Sequence, residues 1–177
     1  MNCLTTLHKH YSGVVSGVKA IQWGIEMEET AIRQFEEHTG HKVNSTGLWL
    51  HSSGILGASP DRFIYAENAV LEVKCPYSAR NLTVAQACTL KNFCLTQNEQ
   101  DGSFALPEKH KYVDQVQGQM YLTGSDTCFL VVYTTVEIAV VKVEKSDKWK
   151  PNIEKLISFY CSEMLPRLVG VAQNSVD

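Results

Sequence analysis

Short β-type runs and helical stretches follow one another in an order that leaves this chain few folds to adopt. A helical pattern extends from about Val18 to His38 and stops at Thr39-Gly40, where the glycine suits a helix C-terminus. β-type runs broken by Gly and Pro come next, GLWLHS, ILGAS, RFIYA and AVLEVKC, between Thr46 and Cys75. The polar stretch TQNEQDGSF at 96–104 reads as an exposed loop, and a second helix runs from about Glu108 to Leu122, stopping at Thr123-Gly124. Two further β runs, CFLVVYT and EIAVVKVE, lead to a last helix. There Trp149, Ile153, Leu156, Ile157, Tyr160, Met164 and Leu168 recur at helical spacing, and Pro151 is tolerated in the first turn. Helix, three or four strands, helix, two strands and helix make an α/β sandwich around a mixed sheet. With 177 residues the chain is sized for one domain with a sizeable core.

Composition narrows the function classes. Apolar runs such as CFLVVY at 128–133 fall far short of the roughly 18 residues of a membrane span. The first residues, MNCLTTLHKHYSGVVSG, show no basic segment followed by an apolar core, so no secretory leader is expected and the protein is placed inside the cell. The cysteines, Cys3, Cys75, Cys88, Cys94, Cys128 and Cys161, are scattered without zinc-type spacing and read as reduced thiols. The Asn-x-Thr/Ser matches at Asn44 and Asn81 then carry no glycosylation meaning. A net charge of −3 argues against a nonspecific coat for nucleic acid, so any DNA contact has to be local.

Within AVLEVKC the side chains alternate between faces, so Val70, Glu72 and Lys74 share one side and Ala69, Leu71, Val73 and Cys75 the other. A strand with one wet face accounts for the charged pair if it stands alone. Two further carboxylates change its setting. On the first helix, Glu26 aligns with Thr30, Arg33 and Glu37, and Glu29 with Ile25, Arg33 and Glu36, both solvated faces. Glu28 instead falls among Gly24, Ala31, Ile32 and Phe35. It either reaches water from the edge of that apolar stripe or is protonated, paired or bound to a cation. Asp61, in GASPDRF, is either an ordinary turn aspartate or a ligand. It lies 11 residues before Glu72, a separation that suits adjacent antiparallel strands joined by a short turn. Two carboxylates held side by side repel unless a hard divalent ion joins them, and Mg²⁺ manages with one or two carboxylates plus water and phosphate oxygens. A lysine two residues on would orient the attacking water or help deprotonate it. In HKYVDQVQGQMYLTG, Gln115 and Gln119 share one helix face and Gln117 lies on another. They form either an amide-rich solvated face or a set with one amide aimed at a water or a phosphate.

WGIEMEETA, GASPDRF, LEVKCPYSAR and HKYVDQVQGQMYLTG, in that order, resemble the YqaJ-type viral recombinase nucleases, the group containing phage lambda exonuclease within the PD-(D/E)XK superfamily. A lone Glu-x-Lys carries little weight; Pro-Asp, Glu-x-Lys-Cys-Pro and Gln-Val-Gln in register with an upstream Trp-Gly-x-x-x-Glu carry much more. The resemblance implies a restriction-endonuclease-like α/β core, a central mixed sheet flanked by helices, in a single nuclease domain spanning 1–177. It implies Mg²⁺, with Mn²⁺ able to substitute, held by Asp61, Glu72 and the Val73 carbonyl. Lys74 would act on the nucleophilic water, and Glu28 would bind metal directly or through water. Gln115 matches the active-site glutamine, with Gln117 the weaker candidate for that role and otherwise a DNA contact, and Arg80 occupies the place of a basic residue near the DNA. The implied reaction is in-line hydrolysis of linear double-stranded DNA, 5′ to 3′, leaving 5′-phosphate and 3′-hydroxyl ends, in recombination or repair. An idle DNA-binding domain and a restriction-like endonuclease are the competing readings. Family analogy also gives a homo-oligomer, a ring trimer. Relatives carry a preceding Arg-Ile/Val-Thr-Ala-Ser-like segment that holds the DNA end, and residues 1–22 show no counterpart; processive action and the ring therefore rest on the analogy alone and do not follow from these residues.

Overall fold

The first long helix, α1 (Lys19–Thr39), buries Ala31, Ile32 and Phe35 and ends where Gly40 turns left-handed at φ 73°. There the Gly40 N–H donates to the Glu36 carbonyl at 2.8 Å, the glycine cap expected from sequence. The computed structural model describes residues 19–173; the expected start of this helix at Val18, Cys3 and the search for a DNA-end segment lie wholly or partly outside them.

Among the described residues eight strands follow in chain order. β1 (Trp49–Leu50) and β2 (Gly57–Ala58) form a small antiparallel pair. β3 (Arg62–Ile64), β4 (Ala69–Lys74), β7 (Thr127–Tyr133) and β8 (Ile138–Glu144) make the central sheet in the order β3-β4-β7-β8. β3 and β8 run antiparallel to their neighbours, while β4 and β7 are parallel, so the sheet is mixed as expected. Parallel neighbours need a long crossover. Here it carries α2 (Val84–Ala87), the hairpin β5 (Thr96–Gln97) and β6 (Phe104–Ala105), and α3 (Lys111–Thr123).

The crossover covers one face of the sheet and α1 the other. Ala69, Leu71, Val73, Phe129, Val131 and Tyr133 pack on Ala31, Ile32 and Phe35 of α1. On the opposite face Val70, Cys128 and Phe63 meet Val116 and Met120 of α3, and Leu130 and Val132 meet Val84 and Leu95. Every residue of β7 is buried, as a central parallel strand between two layers demands.

The alternation in β4 holds, but its polar face is not wet. Glu72 is 3% exposed, because α3 lies across it. Three other differences are local. Residues 96–103 are exposed as expected and Phe104 is half-buried, yet the ends of the stretch pair as the β5–β6 hairpin around a left-handed Gly102; a two-residue ladder is too short to show a period of two. α3 begins at Lys111 rather than Glu108, because His110 caps it, its ring Nδ1 accepting from the Tyr112 N–H at 3.2 Å. The last helix is α4 (Pro151–Phe159), a π turn (Tyr160–Met164) and α5 (Leu165–Gln173). Its Ile153, Ile157, Tyr160 and Met164 are half-buried, while Leu156, Phe159, Leu165 and Leu168 stay exposed.

Candidate active site

Glu72 and Lys74 stand at the C-terminal end of β4, beside a cavity of about 440 Å³. Asp61 immediately precedes β3, and the register Arg62↔Leu71 sets it opposite Glu72. The Pro-Asp turn is tied to β4 directly: the Val73 N–H donates to Asp61 Oδ2 at 2.7 Å. In an extended chain the N–H and C=O of one residue face the same edge. The Val73 carbonyl is therefore turned toward the edge that β3 vacates, and Val73 lines the cavity. Four residues of α1, Ile21, Gly24, Ile25 and Glu28, spaced one helical face apart, line it too.

Glu72 is held on both oxygens. Oε1 accepts from the Gln115 amide at 2.5 Å and from the Lys74 ammonium, and Oε2 accepts from the Gln119 amide at 2.6 Å. Gln115 and Gln119 thus share a face, as the helical spacing requires. Gln119, 4% exposed, is the site residue that motif reasoning passed over; its spacing of four from Gln115 was the available signal. Its Oε1 is buried without a partner among the described residues.

Glu28 is half-buried at the cavity edge, 3.5 Å from an Arg62 nitrogen. The same guanidinium binds Glu29 and donates to the Asp61 carbonyl at 2.6 Å. Arg62 therefore clamps the carboxylate of α1 to the Pro-Asp turn, a role no local pattern announces because its partners lie 33 and 34 residues away. Glu26 is exposed and takes only the Gln22 amide, at 2.9 Å.

Two expected residues fall elsewhere. Gln117, read as touching DNA, is 3% exposed, and its amide is consumed in the fold: Nε2 donates to the Glu144 carbonyl at 2.9 Å and Oε1 accepts from the Ser146 N–H at 2.8 Å. It staples α3 to the end of β8 and is buried there, away from any DNA contact. Arg80 is outside the cavity lining; its guanidinium lies 4.0 Å from the Tyr77 ring centre and donates to the Tyr77 carbonyl at 2.8 Å. Trp23 meets the same ring edge-on at 6.3 Å, which gives the tryptophan of the Trp-Gly motif a packing role.

The electrostatics are those of a site with too much negative charge. Burial pushes the Asp61 carboxyl up to about 7, the neighbouring Glu72 and Glu28 push the same way, and the Val73 N–H and Lys74 oppose them. Burial disfavours the Lys74 ammonium, but Glu72, Tyr112 and Asp61 outweigh it and its pKa is raised. Lys74 Nζ also lies 4.6 Å from the centre of the Tyr112 ring. Burial, with Glu28 and Asp61 adding to it, drives the Cys75 thiol up to about 12, and burial raises Cys94 to about 11. Neither is a thiolate nucleophile at neutral pH.

Such a site fits a hard cation. Its donors are carboxylate and carbonyl oxygens, its thiols are protonated, and Asp61 carries a charge that the protein alone disfavours. Among the described residues no three His, Cys, Asp or Glu side chains converge on one point. The protein ligands would number two carboxylates and a carbonyl, the sparse set that Mg²⁺ completes with water and phosphate oxygens.

A mixed sheet between helical layers, with Pro-Asp and Glu-x-Lys meeting at one end, is the α/β core of the PD-(D/E)XK type. The chain belongs to the YqaJ-like viral recombinase domain family, whose sequence profile matches residues 5–126. Its fold is similar to that of LHK-Exo, an alkaline exonuclease from Laribacter hongkongensis, solved by itself and in complex with dAMP. That likeness has a TM-score of 0.68 and 24% identity over 90% of this chain and 75% of that one. A phage-related exonuclease from Haemophilus somnus 129PT matches with a TM-score of 0.60 and 16% identity, over 88% of this chain and 74% of that one. No curated protein sequence matches. Among the described residues no helix is long and apolar enough to cross a membrane.

Proposed function

We propose that this chain is a metal-dependent DNA exonuclease that hydrolyses phosphodiester bonds of linear duplex DNA. The observation that carries the reading is the meeting of Asp61, Glu72 and Lys74 in one cavity, with Asp61 locked to the β4 backbone by the Val73 N–H. Membership of the recombinase family and likeness to two exonucleases support DNA as the substrate, removal from an end as the mode and recombination as the setting. A 5′-to-3′ direction is part of the same proposal.

Asp61, Glu72 and the Val73 carbonyl would hold Mg²⁺, with Mn²⁺ able to replace it and Glu28 acting at the edge of the site. Bound there, the ion would neutralise charge on the phosphate and make water a stronger nucleophile. The chain's own groups supply the rest. Gln115 and Gln119 fix the Glu72 carboxylate, so its position does not have to be set during reaction. Lys74, kept as an ammonium by Glu72, orients the attacking water and stabilises charge growing on the phosphate; in this arrangement it donates protons rather than taking them. Tyr112 holds that ammonium on its ring.

The test is to incubate linear and covalently closed circular duplexes of one sequence with the protein, in Mg²⁺ and in EDTA. The expected result is Mg²⁺-dependent loss of the linear DNA to nucleotides bearing 5′-phosphates, with the circle intact. Nicking of the circle would replace end-dependent action with endonuclease action. Binding without loss of either DNA would make this an idle DNA-binding domain.

A further inference from the structure

The cavity has basic groups that the proposed chemistry does not use. Lys91 and Asn92, in the turn after α2, line it together with His110 and Lys111 at the start of α3. The turn is built to present its tip. The Leu90 N–H donates to the Ala87 carbonyl at 2.9 Å, the Phe93 N–H to the Leu90 carbonyl at 3.2 Å, and Asn92 is left-handed at φ 63°. Cys94 and Leu95 directly behind it are buried in the core, while Lys91 and Asn92 are exposed. Lys111 is placed just as firmly. Its Nζ lies 5.4 Å from the centre of the Tyr112 ring, and Lys74 Nζ lies 4.6 Å from the same centre. His110, which caps α3, packs edge-on against that ring at 4.7 Å. The ammonium beside the reacting centre and the one at its rim thus share a single aromatic spacer, and cannot be further apart than those two distances taken together.

Charge gives these lysines a purpose. Lys74 is neutralised by Glu72, whereas among the described residues neither Lys91 nor Lys111 pairs with a carboxylate. They stand over a floor bearing Glu28, Asp61 and Glu72, in a chain of net charge −3. A polyanion entering an acidic cavity of an acidic protein needs local cations at the mouth. We propose that Lys91 and Lys111 form a phosphate rail, contacting backbone phosphates next to the one that is cleaved. This rests on the nuclease reading and deepens it by saying where that reaction's substrate is gripped. Contacts of this kind carry no base preference, so the rail sets affinity and register and leaves sequence unread.

The experiment is equilibrium binding of a fluorescent linear duplex to the Asp61→Asn protein across a salt series, followed by anisotropy. Each phosphate contact contributes about 0.9 to the slope of log affinity against log salt. Lys91→Ala and Lys111→Ala should each lower the slope by about 0.9, and the double variant by about 1.8, equally for unrelated DNA sequences. Lys91→Arg and Lys111→Arg should retain it, and Lys42→Ala, beyond the far end of α1, should leave it unchanged. In the otherwise wild-type enzyme the alanine variants should raise KM and spare kcat. A double variant with the parent's slope would overturn the rail while leaving the nuclease reading standing. Arginine variants as impaired as the alanine ones would also overturn it, because position rather than charge would then matter. A parent protein that binds no DNA at any salt would bring down the nuclease reading and the rail together.

Discussion

The central sheet carries a lysine–carboxylate cluster at each end, and they behave in opposite ways. At the start of β4 and β7, Lys145 Nζ sits 2.7 Å from Asp126 Oδ1, Asn68 donates to Oδ2 of the same carboxylate at 3.2 Å, and that carboxylate is exposed. The Lys145 and Asn68 hydrogen bonds lower the Asp126 pKa. At the far end of β4, burial and two neighbouring carboxylates raise that of Asp61. The first cluster is content as a surface pair that ties strand ends together. In the second, negative charge is gathered out of water beyond what Lys74 can offset, an arrangement that helps folding little and suits a cation and a phosphate. Similar residue types sit on one sheet, and burial beside a cavity separates a site from a fastener.

The largest contrast should be in activity. Asp61→Asn and Lys74→Ala are each expected to reduce DNA hydrolysis by about 10²-fold or more with the fold intact, since metal and electrostatic contributions are of that order. Retention of more than about a tenth in either would remove its assigned role. Lys145→Ala should leave turnover unchanged and lower the melting temperature only slightly.

The glutamines of α3 sharpen the comparison. Gln119→Leu leaves one oxygen of Glu72 without its amide, so Mg²⁺ affinity measured by calorimetry should fall about 10- to 100-fold, as when a group that orients a metal ligand is lost. Gln117→Leu removes the hydrogen bonds to the Glu144 carbonyl and the Ser146 N–H, costing about 1 kcal/mol of stability, with Mg²⁺ affinity unchanged. Equal effects of the two on Mg²⁺ affinity would erase the distinction between the faces of α3.

The two aspartates should also drive stability in opposite directions with pH. Asp61 titrates at about 7 in the folded protein against 3.8 for an ordinary aspartate, so the metal-free fold holds the extra proton between those values and loses stability as pH rises through that window. Asp126 is lowered, so its contribution is present above the ordinary value and is lost as acid protonates it. Mg²⁺ should therefore raise the melting temperature more at pH 8 than at pH 5.5, and Asp61→Asn should flatten that difference. The smallest expected effect is at Glu26→Gln, near silent in turnover; damage matching that of Glu28→Gln would contradict the assignment of faces on α1.

Much of this was legible in sequence because it is local. Glycines after Thr39 and Thr123 end α1 and α3 where φ turns positive, the 11-residue gap sets Asp61 opposite Glu72, and i,i+4 spacing separates Gln115 and Gln119 from Gln117. The covering of Glu72 was not legible, because the amides that bury it come from 43 and 47 residues further on. Gln117, the weaker candidate of the Gln-Val-Gln motif and an expected DNA contact, instead turns inward to bind Glu144 and Ser146 at the end of β8. Arg62 and the Lys91 turn escaped for the same reason: their partners are fixed by packing rather than by neighbours in the chain.

The central claim is that chemistry belongs to the Asp61–Glu72–Lys74 end of the sheet and not to its Asp126–Lys145 end. The most direct measurement is degradation of a 5′-labelled linear duplex by wild type, Lys74→Ala and Lys145→Ala side by side, in Mg²⁺ and in EDTA. The expected result is Mg²⁺-dependent loss of DNA with wild type and Lys145→Ala and none with Lys74→Ala. Undiminished degradation by Lys74→Ala, or degradation that persists in EDTA, would contradict it.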